Sequence, residues 1–432
     1  MRRGGTKKRL VGVAVFLVVV SIGSMAGARD AGLDGQRRIT LGEVVALALE
    51  KNPGIIAAKE RWESSLNKPT LVSSLPDPVL KGTYFLKEIE TRNGPMEKGF
   101  SLSQKFPWIG KLSTRKKVAE SEADIVKADY ESTRLRVIYQ VKEAFFDLYW
   151  VHRAIAITRA NMNILGQLEG LIRTKYITGE AAQQDLLKVQ IELLRLQNDL
   201  NTFRDMESVV KVKLNSLLGR PPDAPLGKPE GIRFKRFKVS LDELYGYGRR
   251  GSPEMKIKRR MIERWKLKKH LAKLDYFPDV TMGVQYREVS RGDSPMAPHN
   301  GQDVWSVMLK INLPIWLQKR RAGVVLAEKE VLAGLSSYRD REERLVSAIK
   351  EAYFRAKTAQ RDVILYRESL IPRAEQSLQI AKEDYRAGKS GFLDLIDSQR
   401  VLLRFQLSYE KALVEFRKSI ARLERIVGRD LY

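Results

Sequence analysis

The chain is 432 residues long, 43% hydrophobic and free of cysteine, with a net charge of +26. That much apolar material excludes a disordered chain, and the missing thiols exclude a disulfide framework, a thiolate zinc site, a Cys nucleophile and a lipid-modified N-terminal Cys. Imidazole is confined to His152, His270 and His299, none of them at i, i+4 from another, so no paired-His site is written into the sequence.

Arg2, Arg3, Lys7, Lys8 and Arg9 precede an apolar run, Leu10 to Val20, and the small-residue stretch Ala26-Gly27-Ala28 follows. This is the layout of a secretory signal peptide, 1–28, cleaved after Ala28. An uncleaved anchor is the alternative, but the apolar run is shorter than the ~20 residues a spanning helix needs. Secretion turns the positive charge away from nucleic acid and toward anionic lipid, an acidic partner or solvent.

A short amphipathic helix is expected at about 40–50 and a longer one at about 53–72, with Pro53 in its first turn, where the missing N–H costs nothing. After Leu75-Pro76-Asp77 come two extended segments, a hairpin over about 79–106. Phe100, Leu102, Gln104 and Phe106 alternate with Ser101, Ser103 and Lys105, apolar on one face and polar on the other. Strands of ~10 residues with that pattern and polar loops suit a membrane-spanning β-barrel. A half-buried soluble sheet is the competing reading.

No proline lies between Pro107 and Pro221, so a helical hairpin is expected over about 112–218. Its outgoing helix would run on the order of 95 Å. The turn contains Tyr176, Gly179 and Asp185. Beyond it Leu186, Val189, Leu193, Leu196, Leu200 and Phe203 begin a run stepping by three and four, the seam of side-by-side helices.

Pro221 to Phe237, rich in Pro and Gly, reads as a linker, because the pattern then starts again. Residues 29–220 form a first repeat and 238–432 a second, with a hairpin at about 280–313 and long helices at about 318–428. Tyr176, Gly179, Asp185, Gln190 and Gly219 reappear as Tyr385, Gly388, Asp394, Gln399 and Gly428, all at an offset of 209. At the second turn Asp394 and Asp397 stand at i, i+3, neighbours on one helix face. The plain reading of these acids is a favourable interaction with a helix N-terminus.

The ordered set of an Asn-Pro helix, a Leu-Pro-Asp-Pro turn, Ser-Leu-Ser-Gln-Lys-Phe-Pro-Trp-Ile-Gly-Lys at 101–111, Tyr-x-x-Gly turns and near-complete duplication resembles the TolC-type outer-membrane efflux protein family. The resemblance covers about 39–429. It implies a mixed α and β fold: four transmembrane strands per chain in a trimeric twelve-stranded β-barrel, and antiparallel coiled-coil hairpins in a periplasmic α-barrel. It implies an outer-membrane channel subunit that carries small molecules or metal ions passively. The implied partners are two further copies of the chain, a periplasmic adaptor, an inner-membrane pump and outer-membrane lipid, with no cofactor.

The resemblance also implies roles at the two turns. Asp394 and Asp397 would form an acidic ring at the aperture. Tyr176, Gly179, Asp185, Tyr385, Gly388 and Ser390 would close the tip or contact the adaptor, with Asp185 and Tyr385 where the family has a tip-closing hydrogen-bond network. Ser390 stands where well-known members carry Arg, which predicts a differently keyed closure. The Phe-Pro-Trp-Ile-Gly-Lys stretch is similar to members that serve heavy-metal pumps.

A periplasmic coiled-coil adaptor or scaffold without a pore is the alternative. No catalytic set is visible: GxSxG and HExxH are missing, and Gly388-Lys389-Ser390 lacks the earlier Gly of a phosphate loop, having Glu383 there. Residues 231–275 hold 15 Lys and Arg against 5 Asp and Glu, a candidate basic collar near phospholipid or peptidoglycan.

Overall fold

Thr40 and Ser240 start the first helix of each half by the same device. Each hydroxyl accepts the amide of the Glu three residues on, Glu43 or Glu243, whose carboxylate takes the capping residue's own amide. These helices are α1 (Leu41–Lys51) and α6 (Leu241–Gly251). Each is followed by a helix with proline as its first residue, α2 (Pro53–Ser65) and α7 (Pro253–Leu274). The expected helix at 53–72 is broken, because the chain turns at Leu66-Asn67 before a separate α3 (Lys68–Ser73). Pro69 in the first turn of α3 has no amide to continue the ladder of α2.

The computed structural model describes residues 37–293 and 298–432. The expected signal peptide lies outside them, as does part of the loop after the third strand. Strands β1 (Val79–Ile89), β2 (Met96–Phe106), β3 (Val280–Val289) and β4 (Val304–Ile311) form one antiparallel sheet in the order β1-β2-β3-β4. The rest of the described chain is mostly helix: α4 (Lys111–Ile177), α5 (Gln183–Leu217), α8 (Leu317–Leu365), a π-helical turn (Tyr366–Leu370), α9 (Ile371–Arg386) and α10 (Phe392–Val427). With 67 residues, α4 is about 100 Å long. The π turn lies directly before Pro372, whose missing donor and bulky ring prevent regular i to i−4 bonding there.

Register puts Leu102, Val284 and Val307 side by side on one face of the sheet, and Ser101, Gln285 and Ser306 on the other. The apolar face is open: Leu102, Val284, Val307 and Trp305 are 49%, 46%, 84% and 72% exposed. Both outer strands also present one unpaired edge. The main core lies elsewhere, among the long helices. There Leu148, Leu214, Leu244, Ile349 and Phe416 are fully buried, and Phe234 packs on Phe416 at 5.4 Å between ring centroids.

Two glycines explain matching positions late in each half. Gly219 and Gly428 end α5 and α10 with φ of +66° and +71°. A Cβ on Gly219 would lie 2.6 Å from the Lys51 carbonyl, and one on Gly428 would lie 2.4 Å from the Gly251 carbonyl. Left-handed backbone and close approach both demand glycine there.

Sheet and helices are joined by a buried ion pair. Lys111, the first residue of α4, donates to Asp279 at 2.7 Å and to the Phe277 carbonyl at 3.0 Å. Asp279 also accepts the Trp108 amide at 3.1 Å and pairs with Lys105 at 3.0 Å. Trp108 stacks on Phe277 at 5.0 Å. The Phe-Pro-Trp-Ile-Gly-Lys stretch therefore builds this joint. Burial alone would raise the Asp279 carboxyl, but the hydrogen bonds from Lys111, the Trp108 amide and Lys105 outweigh it and bring it from 3.8 down to about 2.

A depressed carboxylate stabilises the fold at pH values above its ordinary one, and the contribution disappears as pH falls toward 2. The contribution at neutral pH is about 2 kcal/mol. Asp279→Asn should therefore lower the thermal unfolding temperature at pH 7, with the gap to the unsubstituted protein closing as the pH approaches 2. An equal gap at both pH values would remove the ion pair as its cause.

Candidate functional site

Both long hairpins turn in the same way at the end remote from the sheet. Gly179 and Gly388 adopt φ of +78° and +70° just past the ends of α4 and α9. The following amides reach back, Glu180 N–H to the Lys175 carbonyl at 2.7 Å and Lys389 N–H to the Asp384 carbonyl at 2.8 Å. These are the backbone bonds of a glycine-capped helix end. A Cβ on either glycine would meet nothing within 4 Å, so backbone conformation alone selects them.

The two turns touch through a residue that the sequence reading passed over, Lys175. From the last turn of α4 its ammonium donates to the carbonyls of Tyr385 and Arg386 at 3.2 and 3.3 Å. It also lies 5.3 Å from the centre of the Tyr385 ring and 3.7 Å from Glu180. The acceptors are the last carbonyls of α9, the negative end of that helix, where a cation is favoured. Lys175 gave no repeat signal, since its counterpart at the common offset is Asp384. The only cue was a cation in the final turn before a capping glycine.

Tyr385 is 6% exposed, packs edge-on against Phe392 at 6.3 Å, and has no hydrogen-bond partner for its hydroxyl among the described residues. Burial first, and then the nearby Asp185 carboxylate, raise its phenol above the ordinary value. Asp185 is half-buried in the first turn of α5, 4.0 Å from Lys188. The Ser390 hydroxyl is buried and also lacks a partner among the described residues. Tyr176 is exposed, on the neighbouring turn of α4.

Asp394 and Asp397 project from the first two turns of α10, both exposed. Asp397 borders an open groove of about 410 Å³ shared by α5 and α10, which Glu192 and Arg400 also line. Arg400 pairs with the buried Glu192 there. Behind the acids the helix contact is polar and specific: Gln399 donates to Asn161 at 3.0 Å, and Asn161 donates to Gln406 at 3.1 Å. Further along, buried Glu410 accepts from Arg153 at 2.6 Å and from Tyr149 at 3.0 Å. Buried bonds of this kind fix register between helices that an apolar seam alone would let slide.

The family described as outer membrane efflux protein matches residues 44–220 and 266–429. Nodulation protein T of Rhizobium leguminosarum bv. trifolii is 22% identical over 89% of this chain and 84% of its own length. Cobalt-zinc-cadmium resistance protein CzcC of Cupriavidus metallidurans is 20% identical over 90% of each. Among solved structures, the outer-membrane channel OprN superposes with a TM-score of 0.75 at 17% identity, covering 93% of this chain and 95% of that one.

Proposed function

The chain belongs to the outer membrane efflux protein family, and from that premise we propose that it is the outer-membrane duct of a tripartite export system, fed by an inner-membrane pump through a periplasmic adaptor. The family is one of outer-membrane channels rather than enzymes. Localisation follows: the sheet lies in the outer membrane and the long helices in the periplasm. The observation that carries the reading is an open four-stranded sheet, apolar on one face, joined to helices of about 100 Å.

Hydrocarbon cannot hydrogen-bond a free strand edge, so β1 and β4 must find partners, and four strands cannot enclose a lumen. Three copies closing twelve strands answer both needs. The polar face with Ser101, Gln285 and Ser306 then lines the pore. The doubled order of short helices, strand hairpin and helical hairpin supports an internal two-fold repeat, with 221–237 as the link between halves.

At the far end the tips of three subunits converge. Asp394 and Asp397 form a ring of carboxylates that favours cations and repels anions. Lys175 and Tyr385 clasp the two tips of one subunit, in place of an Arg at Ser390. Tyr176, Gly179, Asp185 and Gly388 shape the surface offered to the adaptor. The cargo class is small molecules or metal ions, as the names of CzcC and of the pyoverdine export protein OpmQ of Pseudomonas putida suggest.

The test is reconstitution of the detergent-extracted protein in a planar bilayer. A small, cation-preferring conductance is expected, and Asp394→Asn with Asp397→Asn should erase the preference. Folded, trimeric protein that opens no channels would overturn the duct in favour of a scaffold.

A further inference from the structure

Where the helices hand over to the sheet, three segments carry cations and no acid. Residues 111–119 hold four Lys and Arg, residues 264–274 hold five, and residues 317–327 hold three. They share one level. Phe106, Val280 and Ile311 are paired across β2, β3 and β4, and α4, α7 and α8 meet the sheet within a few residues of them. Contacts between the helices agree: Gly110 lies against Leu274, Lys268 is 3.7 Å from Glu122, and Lys269 is 2.9 Å from Glu328. Each segment covers two to three helical turns, on the order of 15 Å.

Four of these twelve cations are engaged within the chain: Lys111 by Asp279, Lys116 by Glu120, Lys268 by Glu122 and Lys269 by Glu328. The other eight form no direct ion pair among the described residues, with Arg264 acting on Glu122 and Lys273 on Glu328 only through space. The rest of the basic stretch, 231–263, holds ten cations, of which Arg249 pairs with Glu342 at 3.0 Å, Lys256 with Glu131 at 3.1 Å and Arg260 with Asp124 at 3.4 Å. That stretch carries Asp242, Glu243, Glu254 and Glu263 among its cations, whereas the three segments beside the sheet contain no acid of their own.

Part of it faces outward whatever the rotation of each helix. Arg115-Lys116-Lys117 and Lys319-Arg320-Arg321 are consecutive, and three successive residues sweep about 200° of a helix. Lys266 and Lys273, a heptad apart, are both exposed. Aromatic side chains crowd the same level, with Trp316, Phe277 and Tyr276 at 73%, 45% and 37% exposure. The opposite end of the sheet differs: its loops hold Arg92 and Arg291 against Glu90, Asp293 and Asp303.

Exposed aromatics mark a membrane–water interface, and cations beside them meet the phosphates of anionic lipid. We propose that these segments form a cationic belt that binds the phosphate groups of anionic phospholipids in the inner leaflet of the outer membrane, fixing the depth at which the barrel sits. The proposal rests on the outer-membrane reading above. Long Lys and Arg side chains suit the task, since their stems lie along apolar surface while their heads reach the phosphate layer.

The test is tryptophan quenching in vesicles containing brominated phosphatidylglycerol or brominated phosphatidylcholine. Quenching by both lipids establishes insertion, and the ratio between them reads the belt. A preference for phosphatidylglycerol on the order of fivefold is expected at low salt, the factor one cation near an anionic surface contributes. The variant Lys266→Gln/Lys273→Gln/Lys319→Gln/Arg320→Gln/Arg321→Gln should keep its trimer and its quenching by phosphatidylcholine but lose the preference. Equal quenching in the unsubstituted protein, or a preference unchanged in the variant, would overturn the belt. Binding of anionic peptidoglycan fragments with no lipid preference would also overturn it and assign the cations to the cell wall. Absence of quenching by either lipid would instead remove the membrane reading itself.

Discussion

Replacing Lys175 by Gln is expected to open the duct. The Lys175 ammonium donates to two carbonyls at the end of α9, at 3.2 and 3.3 Å, and its side chain is only 15% exposed. A hydrogen bond from a charged donor contributes about 1.5–3 kcal/mol, and the Tyr385 ring beneath the ammonium adds about 0.5–1 kcal/mol. Gln offers a neutral amide donor in place of the ammonium and loses the charge, the ring attraction and much of the reach. With one clasp per subunit, three are weakened together in a trimer. Single-channel conductance should rise severalfold in Lys175→Gln, while Lys175→Arg should stay near the original value. A folded Lys175→Gln trimer with unchanged conductance would show that the clasp does not hold the tips closed.

The second large effect is expected on the outer face of α5. Val189 and Leu196 of that helix are buried within the chain, whereas Leu187, Ile191 and Leu194 are 51%, 61% and 72% exposed and lie at i, i+4, i+7. Phe354, Leu365 and Ile380 on the outgoing helix of the second half are similarly bare, at 54%, 48% and 52%. Two such stripes on one chain suit a rotational arrangement in which α5 of each subunit meets α8 and α9 of the next. Ile191→Asp with Leu194→Asp would put two unpaired carboxylates into each contact, at a cost of several kcal/mol per charge. The doubly substituted protein should sediment as a monomer in detergent with its helix content retained. Trimers that persist would place the subunit contact elsewhere.

The sequence carried most of the elements because their causes are local. Missing prolines permit an unbroken α4, the alternation of Phe100 to Phe106 sets a strand, and Gly179 and Gly388 mark helix ends through a backbone conformation that other residues resist. The break before α3 was missed because Pro69 is tolerated in a first helical turn and so does not announce whether a helix starts or continues there.

The candidate site was legible only in part. Asp394 and Asp397 could be placed on one helix face from spacing alone, while their exposure comes from the fold. Lys175 could not, because its partners are backbone carbonyls 210 and 211 residues away, and a carbonyl has no residue identity to match. The role of Lys111 was hidden for a similar reason: its carboxylate partner is 168 residues distant.

Most helices and strands, and the apolar faces they carry, could thus be read from the chain alone, the break before α3 excepted. Those properties depend on side-chain period, capping and proline placement within a few turns of chain. Which cations lack a direct ion-pair partner, which carbonyls receive Lys175 and which apolar stripes are left bare emerge from the folded chain. Each of these depends on what a distant segment places within about 4 Å, a distance over which hydrogen bonds and ion pairs act and sequence spacing has no say.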